Sequence, residues 1–456
     1  MKRLDYFFEP KSVAIIGASH NPEKLGYVIL SNFVGISSKM KIYPVNPDTT
    51  PILGLKVYKS VLDIKDDLDL VVIVVPAKIV PKVLRECVKK KIEAIIIISA
   101  GFSEVGKEGK KLEMECKRII EGSRTRILGP NCIGVYDPYS HVDTLFLSRE
   151  RCGRPKKGNI AFVSQSGAVG STILDWLSEE GIGISKFISY GNAIDVDESD
   201  LIEYLGEDEK TKVITVYLEG IERTGRKFME IAKKVSRKKP IIVLKSGKTK
   251  KGMKAVLSHT GSLAGSGKIY SAAFKQVGVI EANSWEELFD FARAFSTQPL
   301  PKGNRIAIVT DGGGFGVLAT DEAERQGIEL PEPSEGLKKK FSRVMPPYAI
   351  YHNPIDLTGD ANAERYRVVI EACLKSKEFD GVIAITLFQV PTLEKDVVNE
   401  LIELHKRYKK PLLTCAAGGK FTRELSEKLM EGGVPVYPTP ERAVKAMKAL
   451  VEYGKK

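Results

Sequence analysis

His259 stands between glycine-bearing flanks, with Lys245-Ser246-Gly247-Lys248 before it, His259-Thr260-Gly261-Ser262 around it and Gly265-Ser266-Gly267 after it. Lys248, Lys250, Lys251 and Lys254 lie just upstream. Glycine lowers the cost of moving a backbone and lysine attracts phosphate, so this composition predicts a loop that carries a phosphohistidine. Imidazole, with a reference pKa of about 6.5, is a good nucleophile near neutrality. A carboxylate on the other ring nitrogen would orient it and stabilise the charged product. A lone loop histidine is more often structural, and the balance shifts here because of two turns elsewhere. Ser164-Gln165-Ser166-Gly167 and Asp311-Gly312-Gly313-Gly314 each join a strand to a helix through small residues. They supply two helix N-termini able to hold a phosphoryl group.

A third turn has a different chemistry. Val13 to Gly17 reads as a strand opening into Ala18-Ser19-His20-Asn21-Pro22-Glu23-Lys24-Leu25-Gly26. Such a turn offers backbone N–H groups and a helix N-terminus to phosphates. The dinucleotide fingerprint needs GxGxxG and an acidic residue at the end of the second strand. Here the glycines stand nine apart and the second strand ends Pro44-Val45-Asn46-Pro47. A longer loop containing Lys24 suits another phosphorylated adenosine, for which coenzyme A is the candidate. His20 alone reads as a loop residue.

These turns sit among short β-branched runs separated by helical segments: Ser12 to Ile16, Leu70 to Val75, Ile95 to Ile98, Ile160 to Val163, Val213 to Tyr217, Ile241 to Leu244, Ile306 to Thr310, Val382 to Thr386 and Leu412 to Thr414. The alternation predicts an α/β protein of parallel sheets with crossover helices. Two Gly- and Pro-rich stretches, 149–159 and 296–304, read as joints, which predicts parts at 1–150, 151–298 and 299–456. The last two parts echo one another: Pro155-Lys156-Lys157-Gly158-Asn159 is matched by Pro301-Lys302-Gly303-Asn304, and Lys239-Pro240-Ile241-Ile242 by Lys410-Pro411-Leu412-Leu413. An N-terminal Rossmann-like fold followed by two related flavodoxin-like units is therefore expected.

The whole chain agrees with that division, since 456 residues correspond to about three domains and 43% hydrophobic content suffices for their cores. The apolar runs are far shorter than the roughly 18 to 20 residues that cross a membrane, so a cytoplasmic location is expected. Six cysteines without CxxC or metal-ligand spacing predict reduced thiols and no metal site. A net charge of +12 suits polyanionic partners, and without a basic stripe interleaved with aromatics, small phosphorylated ligands are favoured over nucleic acid.

In order along the chain, Ser12-Val13-Ala14-Ile15-Ile16-Gly17-Ala18-Ser19, Pro44-Val45-Asn46-Pro47, Ser99-Ala100-Gly101-Phe102 and Gly129-Pro130-Asn131-Cys132 resemble the CoA-binding segments of the α subunit of ADP-forming acetyl-CoA (acyl-CoA) synthetase, a relative of succinyl-CoA synthetase. Ser258-His259-Thr260-Gly261-Ser262 resembles that family's phosphorylated histidine segment. The resemblance implies CoA contacts at Gly17, Ala18, Ser19, Lys24, Val45, Asn46, Pro47, Pro76, Ser99, Ala100, Gly101 and Asn131. It implies phosphate contacts at Ser164, Ser166, Gly167, Gly312, Gly313 and Gly314, with Glu219 as the carboxylate supporting His259 and Glu222 as a nearby rival for that role. The implied reaction converts acyl-CoA, phosphate and ADP to acid, CoA and ATP through an acyl phosphate and a phosphohistidine. Nothing in the sequence resembles an ATP-grasp domain or a Walker A motif. The resemblance implies that ADP, ATP and Mg2+ are held by a β subunit in an α2β2 heterotetramer. A CoA-responsive regulator without catalysis and a nicotinamide oxidoreductase are the competing readings.

Overall fold

A computed structural model describes residues 4–34, 40–221, 224–260 and 266–455, with the side chains of 257–260 excepted. Three mostly parallel sheets carry the fold. The first consists of β1 (Ser12–Ile16), β2 (Lys41–Val45), β3 (Leu70–Ile73), β4 (Ala94–Ile97) and β5 (Arg126–Leu128), in the order β2-β1-β3-β4-β5. Val13 and Ile15 enter one core while Ala14 and Ile16 enter another, so helices cover both faces and the strand reads as an unbroken apolar run.

The second sheet contains β6 (Gly134–Asp137), β7 (Val142–Asp143), β8 (Lys157–Ser164), β9 (Ile184–Ser189), β10 (Val213–Leu218), β11 (Ile241–Lys245) and β12 (Ile280–Ala282), in the order β12-β11-β10-β8-β9-β6-β7. The third contains β13 (Ile306–Thr310), β14 (Ile355–Asp356), β15 (Gly381–Ile385), β16 (Leu412–Cys415) and β17 (Val436–Tyr437), in the order β14-β13-β15-β16-β17. Once the antiparallel β6 and β7 are set aside, the second and third sheets have the same strand order, that of flavodoxin. The repeat in sequence is thus a repeat of topology.

By contacts, the chain forms two units, 1–283 with the first two sheets and 284–456 with the third. The helix Trp285–Thr297 belongs to the second unit, where the Asp290 carboxylate receives two hydrogen bonds from Arg442 at 2.6 and 2.8 Å. All nine strand segments expected from β-branched runs are present, with ends shifted by up to three residues. Among the described residues no helix is long and apolar enough to cross a membrane, and no cluster of His, Cys, Asp or Glu is arranged to hold a metal. The six cysteines are buried free thiols.

Candidate functional site

A cavity of about 900 Å³ opens in the first unit where the strands of its two sheets end. One wall is the turn after β1. Gly17 has φ +96°, and a Cβ there would sit 2.2 Å from the Val74 carbonyl oxygen. Gly26, on the helix Leu25–Val34, approaches as closely, since its Cβ would lie 2.0 Å from the Gly17 oxygen. Both positions need glycine because helix and strand meet at the backbone. The Asn46 amide donates to the Ala18 oxygen at 2.6 Å and fixes the turn from β2. Gly17, Ala18, Ser19, Lys24 and Asn46 all face the cavity.

Pro76, Ser99, Ala100 and Asn131 also line it. The Ser99 hydroxyl is spent on structure, donating to the Val75 carbonyl at 2.5 Å and accepting from the Val75 N–H at 3.2 Å. Three expected contacts lie off the wall. Val45 is buried, its carbonyl accepting from Gly17 N–H at 3.0 Å, and Pro47 is exposed. Gly101 turns its N–H to Glu104 at 2.6 Å. His20 is on an exposed loop, 3.2 Å from the Pro51 oxygen.

The opposite wall is the turn after β8. Ser164 is buried and donates to the Ser166 carbonyl at 2.7 Å, so it shapes the turn without facing the cavity. Ser166 caps the helix Gly167–Glu179, and both Ser166 and Gly167 line the cavity. Glu219 lines it too and is only 5% exposed. Its backbone N–H and that of Gly220 donate to the Gln165 side-chain oxygen at 2.8 and 3.0 Å, while the Tyr217 hydroxyl reaches its carboxylate at 3.4 Å. Glu222 lies outside the described residues.

Lys250–Thr260 is a helix, which corrects the expectation of a loop around His259. Thr249 starts it, its carbonyl accepting from Met253 N–H at 2.8 Å and its hydroxyl from Gly252 N–H at 3.0 Å. His259 is therefore next to the last residue of a helix, and its side chain lies outside the described residues.

In the second unit the expected phosphate turn repeats the same construction. Thr310 donates to the Gly312 carbonyl at 3.0 Å as Ser164 does to Ser166, and the helix Gly313–Arg325 follows. Asp311 accepts from Leu387 N–H at 3.1 Å as Gln165 accepts from Glu219. Tyr217 lies opposite Ser164 and Ile385 opposite Thr310, so Leu387 stands where the first copy has Glu219. Gly312, Gly313 and Gly314 thus begin a helix in a copy that has a buried Asp311 but no counterpart of Glu219.

Sequence reasoning passed over Gln165 as a clamp and missed a polar cluster beside the cavity. Asn192 donates to Glu104 at 2.8 Å and to Glu113 at 2.9 Å, and accepts from Asn131 at 3.3 Å. Burial works to raise the Glu104 carboxyl, but the bonds it receives from Asn192, Gly101 and Phe102 hold it below its ordinary value. The signal available was Gly191-Asn192, a turn dipeptide whose glycine has φ +55°. Cys132 also lines the cavity, and burial pushes its thiol up to about 12, which keeps it protonated and a poor nucleophile.

Comparison with known proteins matches residues 11–138 to a CoA binding domain, 157–295 to a succinyl-CoA ligase-like flavodoxin domain and 306–455 to a ligase-CoA domain. The α subunit of acetate–CoA ligase (ADP-forming) I from Pyrococcus furiosus is 45% identical over 99% of this chain and 98% of its own. An acetate–CoA ligase (ADP-forming) of Methanocaldococcus jannaschii is also 45% identical over 99% of this chain, but the match covers 63% of that longer polypeptide. A solved structure of the dinucleotide-forming acetyl-coenzyme A synthetase 1 of Ca. Korarchaeum cryptofilum, in complex with phosphate and ADP, has a TM-score of 0.93 at 38% identity, covering 100% of this chain and 97% of that one.

Proposed function

This chain belongs to the family of ADP-forming acetate–CoA ligase α subunits, and from that premise we propose that it carries the acyl-transfer and phosphoryl-carrying steps of an ADP-forming acyl-CoA synthetase. Phosphate displaces CoA from acyl-CoA to give an acyl phosphate. His259 then takes the phosphoryl group and releases the acid, and ADP removes it as ATP. The observation that supports this reading is that the Gly17–Ser19 turn, the helix start at Ser166–Gly167 and Glu219 line one cavity.

Each group has a distinct task in this reading. The Gly17 to Ser19 backbone and Lys24 hold the phosphates of CoA, which brings the reactive thiol and its acyl group as substrate. The N–H groups that begin the helix Gly167–Glu179 hold inorganic phosphate and later the charge of the transferring phosphoryl group. Glu219 accepts the second ring N–H of His259 and stabilises the cationic phosphoimidazole. Gly312 to Gly314 form a second phosphate cradle.

The nucleotide and Mg2+ are assigned to a β subunit with an ATP-grasp domain in an α2β2 enzyme in the cytoplasm. The longer Methanocaldococcus jannaschii relative supports a second component, because over a third of it lies outside the match.

The test uses the reconstituted complex given acyl-CoA and labelled phosphate. We expect an acid-labile phosphate on His259, no ATP from His259→Ala, and CoA binding unchanged in that variant. Glu219→Gln should fold and bind CoA but slow phosphorylation about 100-fold or more, by analogy with the loss of one transition-state partner. ATP synthesis retained by His259→Ala overturns the proposal.

A further inference from the structure

Lys245 is a buried cation that none of the steps above uses. It ends β11 opposite Leu218, the residue before Glu219, and is 1% exposed. Its ammonium lies 4.7 Å from the centre of the Tyr270 ring and donates to the Ser246 carbonyl. The Tyr270 hydroxyl accepts from Ile221 N–H at 3.1 Å, so the ring beneath the ammonium also grips the far end of the turn that bears Glu219. A fully buried lysine is costly unless it has a counter-charge. Burial lowers Lys245 to about 8 while the Glu219 carboxylate works against the fall and Lys248 adds to it.

The second unit shows what the fold alone requires. Leu244 pairs with Tyr217 and Cys415 with Ile385, so Ala416 stands where the first copy has Lys245. That copy closes the same sheet with alanine in place of the lysine and leucine in place of Glu219. The first copy carries the lysine and the carboxylate and the second carries neither, so the sheet itself does not require a lysine there.

We propose that Lys245 is a positioning residue for phosphoryl transfer, its buried ammonium seated on the Tyr270 ring that grips the turn bearing Glu219 and so fixing that turn in orientation. This rests on the reading of Glu219 as the partner of His259. Four ionisable groups bear on the ammonium or its surroundings. Glu219 and Tyr217 come from β10 and its turn, Tyr270 from the helix Gly267–Val277, and Lys248 follows β11 with its own partner Glu281 at 2.9 Å. Glu198 is farther off and acts on Tyr270.

The experiment measures the rate of His259 phosphorylation by acyl-CoA and phosphate in the reconstituted complex between pH 6.5 and about 9, spanning the lysine's own titration. In the wild type the rate should fall on the alkaline side as the ammonium loses its proton near pH 8. Lys245→Met should be slower by about 10- to 100-fold at pH 7, the scale on which supporting partners of reacting groups act. Its KM for acyl-CoA should stay near wild type and its alkaline limb should vanish. Lys245→Arg, which stays charged, should recover part of the rate and also lose the limb. A wild-type rate in Lys245→Met, or the same alkaline limb in Lys245→Arg as in the wild type, overturns the proposal. Glu219→Gln separates the two ideas: if it is fast, the reading of Glu219 itself has failed, whereas if it is slow while Lys245→Met is fast, only the role of Lys245 has failed. Should Lys245→Met not fold, the wild-type and Lys245→Arg profiles still decide.

Discussion

Two residues at the mouth of the first turn separate binding from folding. Lys24 is exposed on the cavity rim, where its ammonium acts as a point charge. Gly17 is wedged against Val74 at positive φ. Lys24→Ala should therefore weaken CoA binding several-fold, more at low salt than at high, without moving the melting temperature. Gly17→Ala should cost about 1–3 kcal/mol in backbone strain alone and lower the melting temperature and CoA affinity together. Calorimetric titration and thermal unfolding of the full chain read both effects, and a melting temperature unchanged in Gly17→Ala would show that the turn relaxes freely. Asp311 is a third case, where burial raises the carboxyl from 3.8 to about 6 against bonds from Tyr366 and Leu387. Between those two values the folded chain holds a proton that the unfolded chain releases. Stability thus falls as pH rises through the window and levels off above about 6. Asp311→Asn should remove that slope and stabilise the protein at pH 7 by on the order of 1–3 kcal/mol. Melting curves of the two proteins from pH 4 to 8 check it, and parallel curves would mean that Asp311 does not titrate there.

At the level of elements, what was legible in the sequence follows from which strands contain an unbroken apolar run. Ser12–Ile16 and Ile306–Thr310 are buried along their whole length and read correctly as runs of apolar residues. Ile184–Ser189 is equally buried yet escaped notice, because Lys186 is satisfied inside by Asp208 at 3.0 Å and Asp137 at 3.4 Å, and Ser185 by Thr211 at 2.7 Å. Partners distant in sequence made polar residues into strand interior. The helix Lys250–Thr260 was hidden by Gly252, a poor helix former, which packs 3.1 Å (as a Cβ) from Gly247 where helix and preceding turn touch. Likewise SQSG was legible as a phosphate turn, but the grip of Gln165 on Glu219 spans 54 residues and leaves no local pattern. That grip makes an element-scale prediction. Gln165→Leu strands two backbone N–H groups, each worth about 1–3 kcal/mol if buried and unpaired. We expect a lower melting temperature and slower His259 phosphorylation, with CoA affinity little changed, as measured by labelled-phosphate transfer alongside calorimetry. Phosphorylation at the wild-type rate would mean that Glu219 is held by Tyr217 and its surroundings alone.

Across the molecule, one winding serves two purposes. Both flavodoxin-like sheets end in a hydroxyl-pinned turn and a helix start, but Glu219, Lys245 and the His259 segment belong to one copy, and the equivalents of Glu219 and Lys245 in the other are Leu387 and Ala416. The second cradle has Asp311 where the first has Gln165, but no counterpart of Glu219 or of Lys245. In the proposed function, acyl transfer therefore belongs to the first unit, whose cavity is lined by Glu219 and the Gly17–Ser19 turn, and the second copy offers a phosphate cradle for another stage. A nucleoside diphosphate that receives a phosphoryl group needs its phosphates neutralised by a metal held on carboxylates, and no such cluster occurs among the described residues. If that site is on a partner, the two halves of the reaction can be separated by purification. This chain alone, given acyl-CoA and labelled phosphate, should acquire label on His259, and added ADP and Mg2+ should leave the label in place. Addition of the ATP-grasp subunit should then discharge it into ATP within the time of a few turnovers. The measurement is the fraction of label on protein and in nucleotide before and after the partner is added. Rapid discharge by ADP in a preparation containing only this polypeptide would place nucleotide binding within these 456 residues and remove the need for the partner in the final step.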